Sequence, residues 1–116
     1  MERNGAKDLL RRLIATYEHS SESLVQTADQ GFARDDPAMV VQALHTLKSS
    51  SANMGALRFS RACGEIEALA RQRLLDDAKK RWQALRADYE TVLRALNALR
   101  REPGHGVGNW LAEIER

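Results

Sequence analysis

The residue types best suited to chemistry in this chain are His45 and Lys48, three positions apart in a segment with a regular helical pattern. A neutral imidazole is nucleophilic at a ring nitrogen, and a histidine with an ordinary pKa of about 6.5 is mostly uncharged at pH 7. Such a ring can accept a phosphoryl group. An ammonium one helical turn further on would lie beside the transferred oxygens and stabilise their negative charge. The pair therefore predicts a phosphoryl acceptor with a cation next to it.

The positions around this pair carry small side chains. Ser49 and Ala52 lie four and seven residues after His45 on the same helical face, where they leave room for an approaching partner. We predict that they form a docking surface, together with Leu44 in the apolar seam of the same helix. By itself, a histidine or lysine at the edge of a helix is more often a solvated surface residue. The prediction therefore depends on the complete pattern.

Hydrophobic periodicity predicts helices along most of the chain. Only 5% of the residues are aromatic and two are proline, a composition that favours helix over strand. The helix that carries the pair is predicted to begin at Pro37, behind the N-cap residue Asp36, and to end before Gly55 as its C′ residue. Short connections favour antiparallel neighbours. We therefore predict an all-α fold, an antiparallel up-down four-helix bundle over about 20–101 with an additional N-terminal helix over about 7–18.

The other helix boundaries are less sharply marked. The serine pair at 20–21 can cap a new helix, so a break near His19 is plausible, and the pattern leaves open whether one helix or two results. The next helix after the motif is predicted over about 57–73. The aspartates at 76–77 can cap the last helix, whose predicted buried seam is Trp82, Leu85, Tyr89, Val92, Leu96 and Leu99.

With 116 residues, the chain is predicted to form a single domain over 1–103, followed by a flexible linker and a short amphipathic tail over 104–116. Its formal charge of +2 comes from 18 basic and 16 acidic residues that are intermixed, so charge does not indicate a nucleic-acid partner. No apolar run approaches the roughly 20 residues that span a bilayer, and the first residues do not resemble a secretory signal. We expect a cytoplasmic location. The single cysteine, Cys63, is predicted to be a buried thiol.

The segment HTLKSSS at 45–51, followed by Gly-Ala at 55–56, resembles the histidine-containing phosphotransfer (HPt) domain family. The family signature is a His, two residues, a Lys, a Gly or small residue, Ser-rich small residues and then Gly-Ala. The predicted helices over about 20–101 also match the family bundle in order and rough length. The main departure is Ser49, where many members carry glycine. The resemblance implies that His45 takes a phosphoryl group from the aspartyl phosphate of a receiver domain and passes it to another receiver aspartate.

The resemblance also assigns a role to Glu67. In the family, a carboxylate or amide on the following helix commonly bonds the non-reacting ring nitrogen, and Glu67 occupies the matching position. An acceptor for the Nδ1–H of His45 fixes the tautomer and leaves the lone pair of Nε2 pointing outward. Gly64, which has no side chain, would let the two helices approach closely enough for that bond. The alternative is that Glu67 forms an ordinary surface pair with Arg71 at i+4.

The chain has no glycine-rich phosphate loop, so we expect a phosphocarrier that does not use ATP and is not an enzyme in its own right. We predict no cofactor and no metal site, with the Mg²⁺ supplied by the partner receiver domain. The expected partners are response-regulator receiver domains. If the domain is the end module of a membrane-bound hybrid sensor kinase, they include the receiver of that kinase. The domain itself is expected to be monomeric and to bind neither membrane nor nucleic acid.

Three other functions compete with this one. A non-catalytic bundle would dock a receiver or another regulator through the same surface without accepting phosphate. The dimerising phosphoacceptor domain of a sensor kinase typically has an acidic residue directly after the histidine and a proline soon afterwards, whereas Thr46 follows His45 and the next proline is Pro103. A basic DNA-binding bundle is disfavoured because no recognition motif or concentrated positive patch is evident.

Overall fold

The structure, a computed structural model, describes the backbone of residues 2–101 and the side chains of residues 8–101. This part of the chain contains no strand and folds into four helices: α1 (Glu2–Ala33), α2 (Pro37–Asn53), α3 (Leu57–Arg71) and α4 (Leu75–Arg101). The connections are only three residues long, so sequential helices pack antiparallel. Because α4 also packs against α1, the helices close into a bundle. The predicted linker and tail over 104–116 lie outside the described residues.

The predicted N-terminal helix is not a separate element, because α1 runs without interruption through the predicted break. The two serines that could have capped a new helix instead donate hydrogen bonds to carbonyls of the preceding turn. The hydroxyl of Ser20 donates to the carbonyl of Tyr17 (3.4 Å), and that of Ser21 donates to the carbonyl of Glu18 (3.3 Å). A serine bonded to the preceding turn remains inside its helix. The segment over 7–18 is therefore part of α1, and the additional helix is not confirmed.

Three helices end in the same backbone arrangement. The second residue beyond each helix has a positive φ: 51° at Asp35, 85° at Gly55 and 61° at Arg73. The N–H groups of this residue and of the next one bond to carbonyls of the last helical turn, which is the Schellman motif. The prediction that Gly55 ends α2 is confirmed. The predicted end of α3 was two residues late, because Arg73 already has the left-handed conformation that terminates the helix.

The start of α2 is fixed by Asp36, whose carboxylate accepts a hydrogen bond from the backbone N–H of Met39 at 3.2 Å. Pro37 occupies the first helical position, as predicted. In contrast, α4 begins at Leu75, before the predicted capping residues, so the aspartates at 76–77 lie in its first turn and not at the cap. Their negative charges still stabilise the helix there, because the N-terminal end of the helix dipole is positive.

The core lies along the inner faces of the four helices. Every predicted seam residue of α4 is buried. The seam of α2 is buried at Val40, Leu44, Leu47 and Ser51. Cys63 is buried as predicted, and burial raises the pKa of its thiol to about 12, so the thiol is unreactive at neutral pH.

Polar side chains join the helices from inside the bundle. The hydroxyls of Tyr17 in α1 and Ser51 in α2 lie 2.7 Å apart, and those of Ser21 in α1 and Tyr89 in α4 lie 2.8 Å apart. All four residues are buried. Within the described range, no helix combines the length and the apolar character that a bilayer crossing requires.

Candidate functional site

The side chain of His45 lies at the rim of the bundle and is 57% exposed. Its neighbour Leu44 and the next seam residue, Leu47, are completely buried. The helical repeat therefore turns the imidazole away from the core while the rest of its helix is held tightly. A partner can reach the ring from solvent.

Glu67 in α3 holds the inner nitrogen of this ring. The Nδ1 of His45 lies 3.1 Å from Oε2 of Glu67, and Glu67 is only 4% exposed. An ionised carboxylate only accepts hydrogen bonds, so the neutral ring carries its proton on Nδ1 and donates it to Glu67. The lone pair is then on Nε2, the nitrogen on the opposite side of the ring.

Two cationic side chains, Arg71 and Lys48, and the His45 ring surround the Glu67 carboxylate. Burial alone would raise the pKa of Glu67, but hydrogen bonds from Arg71 and His45 and the charge of Lys48 outweigh it and hold the pKa below its usual value. The guanidinium of Arg71 donates to Oε2 through Nη2 at 2.7 Å and through Nε at 3.1 Å. Glu67 is therefore ionised at neutral pH. It contacts His45 and Arg71 at the same time, so the two interpretations of this residue do not exclude each other.

Lys48 points its ammonium at the other oxygen of the same carboxylate. Its Nζ lies 3.6 Å from Oε1 of Glu67, beyond hydrogen-bond distance, and its side chain is 39% exposed. The aliphatic part of Lys48 passes over Gly64, where a Cβ atom would come within 3.0 Å of the lysine Cδ. Gly64 thus makes room for the Lys48 side chain, which then reaches the carboxylate.

The predicted docking residues differ in exposure. Ser49 is exposed, and its hydroxyl donates to the carbonyl of His45 in its own helix at 3.3 Å. Ala52 is half-buried. Leu44 has no exposed surface, so it supports the helix from the core and cannot be a docking residue. The small residues beside His45 therefore leave an open surface, but Leu44 does not belong to it.

One contact at the site was not expected from the sequence, and another is wider than expected. The hydroxyl of Ser60 in α3 donates to the backbone carbonyl of Lys48 at 2.7 Å and ties the two helices together one turn from His45. Arg71 completes the contacts of Glu67. The i, i+4 spacing of Glu67 and Arg71 was a visible signal for their pair, but no pattern along the chain indicated that the pair also includes His45.

A groove borders the imidazole between the first half of α2 and the end of α3. Its walls are Asp36, Pro37, Ala38, Val41, Gln42, His45, Thr46, Ala70, Arg71 and Arg73. Two arginines lie on the α3 side, which gives that wall a positive charge. Among residues 8–101, no three histidine, cysteine or carboxylate side chains are grouped closely enough to share a metal ion.

This arrangement provides an exposed nucleophilic nitrogen, a buried carboxylate that fixes the ring, and an ammonium nearby. Comparison with curated proteins and comparison with solved structures each gave no match. The family model described as "Hpt domain" matches residues 12–100, which include all four helices in whole or in part and every residue of the site. The chain belongs to the Hpt domain family.

Proposed function

We propose that Nε2 of His45 accepts a phosphoryl group from the aspartyl phosphate of a response-regulator receiver domain and passes it to the aspartate of another receiver. Hpt domains act in histidine phosphotransfer within phosphorelays, as carriers and not as conventional enzymes. The observation that supports this role here is the exposed imidazole whose Nδ1 is held at 3.1 Å by the buried Glu67 carboxylate.

The transfer needs neither water nor a nucleotide as a reactant. The Nε2 lone pair attacks the phosphorus in line with the aspartyl oxygen, an N–P bond forms, and the P–O bond breaks to release the aspartate carboxylate. The ring keeps its Nδ1 proton and becomes positively charged, so the Glu67 carboxylate beside it is favourable. In the second half of the relay, another aspartate carboxylate attacks the phosphorus and the N–P bond breaks.

In this proposal, Lys48 stabilises the charge of the phosphoryl oxygens. Its ammonium is only 3.6 Å from Glu67 and makes no hydrogen bond to it, so a rotation of the long, partly exposed side chain can bring it to a phosphoryl group on Nε2. The Mg²⁺ required for phosphoryl chemistry would belong to the receiver. His45 would face the receiver aspartate across an interface formed by Ser49, Ala52 and the bordering groove.

The positive α3 side of the groove suits a receiver with an acidic surface around its aspartate. We propose that the domain meets its receivers as a cytoplasmic monomer, one at a time through the same face. The donor receiver and the acceptor receiver would then use His45 in turn, which is what a relay requires.

Phosphotransfer to the domain can be tested directly. A phosphorylated cognate receiver is mixed with the domain and Mg²⁺, and acid-labile phosphate on the domain is measured. We expect His45→Gln to abolish the label and His19→Gln to retain it, because His19 is an exposed histidine on α1 that does not line the groove. Label that survives His45→Gln would contradict the proposal. If a receiver binds the wild type and His45→Ala equally and no phosphate is transferred, the non-catalytic alternative is correct.

A further inference from the structure

One oxygen of Glu67 receives three N–H groups from two different helices. Oε2 accepts from Nδ1 of His45 in α2, and from both Nη2 and Nε of Arg71 in α3. The other oxygen, Oε1, is buried and has no hydrogen-bond partner. The hydrogen bonds that orient this carboxylate therefore all act on one atom, and Arg71 makes the shortest of them.

The carboxylate needs such an anchor. The terminal torsion of a glutamate is broad, so a carboxylate without a second bond can rotate away from the ring that it should hold. Lys48, at 3.6 Å from Oε1, supplies charge but no directional bond. The fork of a guanidinium, in contrast, has a fixed geometry and defines where the bonded oxygen lies.

We propose that Arg71 is a positioning residue that holds the Glu67 carboxylate in the orientation that accepts the Nδ1–H of His45. Arg71 would then set the tautomer of His45 without touching the transferred group. Its effect on phosphotransfer rests on the proposed function, whereas its effect on the tautomer does not.

The chain offers a matched control in Arg73. This residue lines the same groove and carries the same charge, but it lies beyond the end of α3 and is not among the donors to Glu67. If arginines near His45 only attract an acidic partner, Arg71→Gln and Arg73→Gln should have similar effects. If Arg71 positions the carboxylate, only Arg71→Gln should change the ring.

The direct test is the state of the His45 ring nitrogens, measured by ¹⁵N NMR of the free domain at a pH where the ring is neutral. The wild type and Arg73→Gln should hold the proton on Nδ1. Arg71→Gln should give a mixture with a larger share of the Nε2–H form, and Arg71→Lys should restore part of the wild-type signal through a single bond. A wild-type tautomer in Arg71→Gln would overturn the proposal.

Transfer kinetics separate positioning from direct contact with the partner. Loss of a partner that orients a metal-ligating histidine typically costs about 10- to 100-fold, and by analogy we expect at least about a tenfold slower transfer to Arg71→Gln. The control for transfer is Arg81→Gln, with an expected change below about twofold, because Arg81 pairs with Glu65 and does not line the groove. Adding Arg71→Gln to Glu67→Ala should cause no further loss. An equal loss in both backgrounds would mean that Arg71 acts independently of Glu67 and would refute the positioning role. If the wild type accepts no phosphate, the proposed function fails, and the NMR comparison still decides the role of Arg71.

Discussion

The two nitrogens of the His45 ring have different surroundings, and this difference carries the chemistry. Nδ1 faces a buried, ionised carboxylate, whereas more than half of the side chain is open to solvent. A histidine in bulk solvent would exchange its proton between the two nitrogens. Here Glu67 selects one form and leaves Nε2 as the nucleophile.

Ionisation of Glu67 should make the free energy of unfolding depend on pH. Its pKa is lower in the folded protein than its ordinary value of about 4.5, so folding favours the ionised form. This contribution is complete above the ordinary pKa and is lost as pH falls through the lowered one. At pH 7, Glu67→Gln should therefore reduce the free energy of unfolding by about 1 kcal/mol or more, since hydrogen bonds to charged groups are lost.

Urea unfolding at pH 7 and near pH 3 checks this prediction. The difference between the wild type and Glu67→Gln should narrow at the acidic pH. Glu65→Gln is the control, because Glu65 lies on the same helix but is exposed. Its ion pair with Arg81 is long, with 3.5 Å between Oε1 of Glu65 and Nη1 of Arg81. A difference for Glu67→Gln that stays constant with pH would be inconsistent with its lowered pKa.

The positions of the site residues depend on where the helices end as well as on their apolar faces. Gly55 and Arg73 occupy equivalent positions in the motifs that end α2 and α3, and both have left-handed φ values. A side chain in this conformation costs about 1–2 kcal/mol, which glycine avoids. The protein therefore carries strain after α3 that it does not carry after α2.

Opposite substitutions at these two positions should shift stability in opposite directions. Gly55→Ala should lower the free energy of unfolding by about 1 kcal/mol, and Arg73→Gly should raise it by up to about 1 kcal/mol, the exposed arginine side chain having no burial to lose. Urea or thermal unfolding measures both. Destabilisation by Arg73→Gly would show that its side chain contributes more than its backbone conformation costs.

Helix existence could be predicted from periodicity, whereas several helix boundaries could not. Gly55 marks an end because glycine favours a positive φ, but Asp35 and Arg73 adopt the same conformation without that signal. The serines at 20–21 were ambiguous because a serine hydroxyl can cap a new helix or bond back within the old one. Tertiary contact decides between these, since Ser21 also meets Tyr89.

The site was predictable to the extent that it lies on one helix. The spacing of His45 and Lys48 is a property of α2 alone, and the position of Glu67 came from the family resemblance. The bond from Ser60 to the Lys48 carbonyl, and the meeting of the Glu67–Arg71 pair with His45, depend on how α3 is rotated against α2, which periodicity does not specify closely enough. Leu44 was assigned both to the apolar seam and to the docking surface. Its place in the seam is confirmed, and because the side chain lies wholly inside the bundle, it cannot take part in docking.

Over the whole molecule, α2 is held in place by polar pairs as well as apolar contacts. Ser60 ties α3 to α2 near His45, and Tyr17 ties α1 to the last turn of α2 through Ser51. Burial raises the pKa of Tyr17 well above its usual range, so its hydroxyl remains neutral and can keep this bond. The orientation of the His45 helix is thus fixed from two sides.

A double-mutant cycle tests the tie between α1 and α2. Tyr17→Phe and Ser51→Ala should each cost about 1–2 kcal/mol in the free energy of unfolding, because each leaves the other buried hydroxyl without its partner. The double variant should cost less than the sum of the two, with a coupling of about 0.5–1.5 kcal/mol. Strictly additive losses in urea unfolding would mean that the two hydroxyls do not stabilise each other.

In the proposed transfer, Nε2 of His45 receives the phosphoryl group while Nδ1 keeps its proton and its bond to Glu67. The most direct measurement is NMR of the ¹⁵N-labelled domain after phosphorylation by a cognate receiver, in which the coupling to ³¹P identifies the bonded nitrogen. We predict a single phosphoryl group with its N–P bond at Nε2 of His45. A bond at Nδ1, or phosphate on any other residue, would contradict the account.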